Sequence, residues 1–137
     1  MILHPSQQVI LSPLREVIGV GQVVEASGVS VELLVIEIRE AGALLYLRAR
    51  PVDGVRFLTA AVSVSDQSGT AYRTLDAGSH GSALHWAGQS VVMPAPPPGS
   101  RLHIEILSFG WPRDYPEERR GATVVGPWRF DMPGAVR

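Results

Sequence analysis

The chain has 137 residues, a formal net charge of −1 and a pI near 6.4. That is the length of one domain, and its charge balance excludes a nucleic-acid binder driven by phosphate neutralisation. Hydrophobic residues make up 45% of it, enough for a buried core, and the lack of cysteine excludes disulfides, thiolate zinc sites and cysteine nucleophiles.

Lysine and asparagine are also missing, so there is no N-glycosylation sequon. The opening Met1-Ile2-Leu3-His4-Pro5 lacks a basic start, and its apolar run breaks at His4, unlike a signal peptide. No stretch approaches the roughly 18 apolar residues of a membrane span. The expectation is no membrane insertion. The chain is then cytoplasmic by default, or the soluble part of an exported or anchored protein.

Residues 1–13 carry Pro5 and Pro13 and show no period. They read as an extended N-terminal arm, with Val9, Ile10 and Leu11 as docking residues, ahead of a single β-sandwich domain over 14–137. Leu14 to Val20 is a strand continued by Gln22 to Ala26, with a bulge or a switch between sheets where Gly19 and Gly21 break the alternation. After a Ser27-Gly28 turn, Val29, Val31, Leu33 and Val35 alternate with Ser30 and Glu32 in the two-residue period of a half-buried strand. Its parity changes between Val35 and Ile36, which predicts a bulge or burial of both faces near the middle. Glu40-Ala41-Gly42 turns into a strand with Leu45 and Leu47 on one face and Leu44, Tyr46 and Arg48 on the other.

Pro51 to Gly54 is a loop, and Phe57 to Ser65 a strand with Ala60, Val62 and Val64 aligned. Asp66-Gln67-Ser68-Gly69 is a hairpin turn, since Asp bonds its own turn backbone and Gly accepts positive φ. Thr70 to Leu75 returns as partner, and Asp76 to Ser82 reads as loop. Leu84 to Met93 is a strand pair, or one strand broken at Gly88. Pro94 to Gly99 cannot donate ladder bonds and crosses as an extended segment. Arg101 to Phe109 is a strand with Leu102, Ile104 and Ile106 inward. Residues 110–121 form a charged loop, in which Glu117 to Arg120 makes one turn after Pro116. Thr123 to Met132 closes the domain as an edge strand. No longer helix is indicated.

Seven to nine short strands, frequent turns and a proline crossover make this an all-β chain. The pattern favours an immunoglobulin-like antiparallel sandwich with Greek-key connections, with a jelly roll or small barrel as the alternative. The chain resembles a group of uncharacterised bacterial immunoglobulin-like domains of actinobacterial and Chloroflexi type. The resemblance lies in Arg15 to Gln22, the Val31 to Leu47 hairpin, Val64-Ser65-Asp66 with Gly69 to Tyr72, Pro94 to Ile106, and Gly126-Pro127-Trp128-Arg129-Phe130. It implies the fold and no activity.

No motif carries chemistry. His80 and His85 are spaced across a Gly/Ser stretch unsuited to a metal; His103 and Glu105 share an outward strand face and would need a third ligand. Asp76, Ser79 and His80 are the nearest grouping to a triad, without a nucleophile elbow. The reading is therefore of no enzyme, no cofactor and no metal. The 111–120 loop combines Trp111, Arg113, Tyr115, Arg119 and Arg120, the residue types enriched at binding hot spots. The competing expectation is that Trp111 and Tyr115 fold back over one end of the sandwich while acids and arginines pair locally. Trp86 and Trp128 are expected in the core. The expected function is a non-enzymatic module binding a protein partner or serving structurally. Alternatives are a homo-oligomeric subunit assembled by strand exchange through Val9, Ile10 and Leu11, and a carbohydrate-binding module using Trp111 and Tyr115.

Overall fold

Alternation along the chain decides which side chains leave water. In β2 (Val29–Arg39), Val29, Val31 and Leu33 are buried; past a register shift between Leu33 and Val35, the buried residue becomes Ile36. The expected parity change is thus a bulge against the neighbouring strand, as a two-residue period requires. The computed structural model describes residues 3–51, 57–81 and 85–132. Within them lie eight antiparallel strands: β1 (Leu14–Ala26), β2, β3 (Ala43–Pro51), β4 (Thr59–Asp66), β5 (Ala71–Gly81), β6 (Trp86–Met93), β7 (Leu102–Gly110) and β8 (Val124–Met132). A 3₁₀ turn at Glu117–Arg119 follows Pro116, as expected.

The strands form one sheet in the order β1-β2-β3-β6-β5-β4-β7-β8. Two Greek keys overlap in that order. β4, β5 and β6 run as a meander, with β3 lying beside β6 and β7 beside β4. β5 serves both halves. It pairs with β4 at Tyr72 and Ala71, then with β6 from Arg73 to Gly81. The sheet curls until its two edges meet, giving an almost closed barrel. Ser27 Oγ donates to the Val125 carbonyl at 2.7 Å, and Gln22 Nε2 lies 3.8 Å from Met132 Sδ. Trp128 Nε1 donates to the Val29 carbonyl at 3.1 Å.

The core is aromatic at its centre. Phe109 stacks on Phe57 at 4.4 Å between centroids and meets Trp86 and Trp128 edge-on at 5.1 and 5.0 Å. Such offset and edge-to-face pairs add to plain area burial. Trp86 keeps its indole hydrogen bond by donating to the Leu58 carbonyl at 3.0 Å. Leu33, Ile104 and Ile106 surround this cluster as expected.

Three expectations need correcting. Residues 5–10 are not an extended arm but a helix, α1 (Pro5–Ile10). His4 caps it by accepting from the Ser6 amide, Gln7 reaches back to the His4 amide, and Pro5 takes the first-turn position that suits it. Val9 is 1% exposed and packs on Leu44 and Val91, covering the outer face of β3 and β6. Ile10 is half-buried beside it, and Leu11 is exposed. Next, Asp76 to Gly81 is strand rather than loop, because a bulge between Asp76 and Gly78 absorbs the irregularity. Finally, β6 runs unbroken through Gly88. A side chain there would overlap the Trp86 indole, so the glycine is a slot for the ring two residues earlier. Gly126 receives Trp128 in the same way.

Gly88→Ala should therefore cost about 1–3 kcal/mol by overpacking. Denaturant unfolding checks this, and an unchanged midpoint would mean the ring has room to move.

Candidate functional site

Among the described residues the barrel closes at one end. β1 meets β8 from Gln22 to Ser27, and its first half runs on past Met132, the last described residue of β8. In the gap lies a cleft of about 600 Å³. Its floor is Ile36 and Ile38 of β2 with Ile18 of β1; Leu102 and Met132 form the far side. Pro96, Pro97 and Pro98 make the remaining wall. A proline run suits that position, because it needs no ladder partner and holds an extended shape. Arg15 and Glu16 stand at the rim. Arg15 has no hydrogen bond or ion pair with a described residue, whereas Glu16 is engaged within the chain. A concave apolar surface with few polar groups is the ordinary form of a ligand site.

Sequence reasoning missed this cleft. Its residues come from four separate segments, and each reads as ordinary strand or loop. The available signal was Leu14 to Val20 beside Pro94 to Gly99: a long edge strand and a segment unable to pair with it.

The 111–120 loop is held in place. Trp111 and Tyr115 lean on each other, 4.9 Å apart at 44°, and both are half-buried. The expected local pairing of acids with arginines does not occur among the described residues. Arg120 instead donates to the carbonyls of Tyr115 at 3.0 Å and Arg113 at 2.6 Å. Arg113 and Arg119 are exposed. The tilted rings offer no flat shared platform. Trp111 Nε1 is buried without an acceptor among the described residues.

The histidines stay apart. His103 Nδ1 pairs with Asp131 Oδ1 at 2.5 Å, and Glu105 with Arg129 at 3.3 Å, both on the solvated face of β7 and β8. His80 and His85 are exposed elsewhere. Among the described residues no three His, Asp or Glu side chains gather as a metal would need. The Asp76, Ser79 and His80 grouping does not assemble: Asp76 accepts from the Gly78 amide at 3.1 Å, and Ser79 donates to the Leu58 carbonyl.

The buried polar pair is at the β4–β5 turn. Asp66 Oδ1 accepts from the Ser68 and Thr70 amides at 2.9 and 3.1 Å, and Oδ2 accepts from Tyr72 Oη at 2.7 Å. The Tyr72 hydrogen bond is the main reason the Asp66 carboxyl sits below its usual range. Burial, then the bond to Asp66, pushes the Tyr72 phenol up to about 12. Both groups are spent on fixing the turn, where Gly69 takes φ +82°.

No family model matches the chain, and no curated protein does. Among solved structures, a conserved domain protein from Bacillus anthracis is similar in fold, with a TM-score of 0.61 at 11% identity. The match covers 85% of this chain and 48% of that one, so the chain spans about half the length of that relative.

The Tyr72 shift has a definite consequence. A phenol whose folded pKa lies above its unfolded value of 10.0 holds its proton more tightly when folded. Its stabilisation is complete below pH 10 and is lost as pH rises towards 12. Unfolding measured across that window should show a fall in stability that is shallower in Tyr72→Phe. Parallel curves for the two proteins would contradict the assignment.

Proposed function

We propose that this domain is a non-enzymatic binding module whose site is the cleft between β1 and the Pro96–Ser100 segment. One observation carries this reading: an apolar hollow of about 600 Å³ with one cation at its rim, Arg15, that has no hydrogen bond or ion pair among the described residues. Polar groups elsewhere favour no chemistry. Asp66, Tyr72, Asp76 and Ser79 are bound up in turns and strand ends, and His103 is paired in solvent.

The immunoglobulin-like form of the fold belongs to the same proposal, and strand order supports it. Setting β1 aside, β2-β3-β6-β5 forms one half and β4-β7-β8 the other. This is the arrangement of a seven-stranded constant-type domain. β1 is then an added edge strand, and the cleft exists because of it. The resemblance to bacterial immunoglobulin-like domains of unknown function fits that reading. Strand exchange through Val9 to Leu11 has less in its favour, because Val9 is already seated in its own domain. No observation favours a glycan at Trp111 and Tyr115.

The experiment is a titration of isoleucine-methyl-labelled protein with small apolar and amphiphilic fragments. The signals of Ile18, Ile36 and Ile38 should move together, while those of Ile104 and Ile106 stay. Shifts centred on the 111–120 loop, or none at all, would remove the cleft as the site.

A further inference from the structure

The outer face of β7 and β8 carries its charges in a pattern that fits itself. Ile104 and Ile106 point into the core, so His103 and Glu105 point out; Trp128 and Phe130 point in, so Arg129 and Asp131 point out. The register sets His103 opposite Asp131 and Glu105 opposite Arg129. Basic and acidic side chains therefore alternate both along and across the strands, as a two-by-two checkerboard. Arg129 and Asp131 have side chains 73% and 78% exposed. Beside this block the bulge between Ile106 and Ser108 turns Leu107 outward, next to Val125 and Pro127 on β8. Leu107 and Val125 are 45% and 66% exposed.

A checkerboard is its own complement. Let a second copy lie face down on the first, related by a two-fold axis that runs along the strands between β7 and β8. Each β7 then lies over β8 of the other copy, row on row, as a self-complementary two-fold contact requires. Glu105 meets Arg129 of the second copy, and the reverse; Leu107 meets Val125 and Pro127. A two-fold axis across the strands would instead set the apolar end of one copy over the charged end of the other. Opposed charges fix partner and register more than they add affinity, and the apolar end supplies the burial. Sheets stacked in this way keep their strands within about 30° of each other.

We propose that the outer face of β7 and β8 is a self-recognition surface, on which two copies of this chain pair face to face with Glu105 of each on Arg129 of the other. The pair is transient. From Val125 to Asp131 the face runs about 23 Å at about 3.3 Å per residue, and two strands are about 10 Å across. That is well under the roughly 800 Å² each partner gives to a standard stable interface. The contact uses none of the residues that line the cleft, so it stands apart from the binding site proposed there.

The test uses the full chain at up to about 1 mM, where a contact this small is populated. Diluting the unaltered protein should move the amide signals of Glu105, Leu107, Val125 and Arg129 together. Sedimentation then compares Arg129→Glu with Glu105→Arg, both changes outside the core. Each alone sets like charges against each other in the pair and should weaken association about fivefold, the scale of two exposed ion pairs turned repulsive. Mixed in equal amounts, the two variants oppose unlike charges again, so the mixture should associate as the unaltered protein does. A purely structural role for the Glu105–Arg129 pair within one copy gives no such recovery on mixing. A protein that is monomeric at about 1 mM, dilution shifts centred on another surface, or a mixture no more associated than its separate components would overturn the proposal.

Discussion

Trp128 sits at the seam where the two edges of the sheet come together. Its indole is fully buried and donates to the Val29 carbonyl, at the start of β2. One face of the ring is accommodated by Gly126, and its edge contacts Phe109. That single side chain joins the last strand to the first hairpin and to the aromatic centre at once. A buried indole N–H must find an acceptor, and the acceptor it finds fixes how near β8 lies to β1 and β2. Closure is therefore local. Where Trp128, Ser27 and Gln22 reach across, the barrel is shut. Among the described residues β8 reaches no further than Met132, and the cleft lies beside the first half of β1.

Much of this was legible in the residues. Period-two alternation placed Leu33 and Ile104 inward and Leu45 with Leu47 on one face, and all four are buried. Parity changes at Gly19–Gln22 and at Val35 announced both bulges. The Asp66 to Gly69 turn was readable because Asp and Gly each have one physical role there. The errors share a cause as well. His4 is an uncommon cap and α1 spans less than two turns, so its helical period is too short to see. Its stability comes from Val9 settling on Leu44 and Val91, a tertiary contact that local propensity does not report. Gly88 looked like a break because glycine usually weakens a strand. The ring that makes it necessary comes from Trp86, and only the folded geometry brings the two together.

The candidate site was less legible than the fold for a related reason. Arg15, Ile18, Ile38, the prolines and Met132 are unremarkable where they stand in the chain. They become a site because four segments far apart in the chain line one hollow. The more conspicuous loop, with its tryptophan, tyrosine and arginines, spends Arg120 on its own carbonyls and turns its rings on each other. Composition drew attention to one loop, whereas the hollow is lined from segments that no single stretch of sequence brings together.

Nuclear Overhauser contacts between β1 and β8 report how far the barrel is shut. They should join the Trp128 indole proton to Val29, Ser27 to Val125, and Gln22 to Met132, with none from the Leu14–Val17 backbone to residues 124–132. A continuous ladder of contacts down the whole of β1 would mean a barrel shut from end to end, with no cleft.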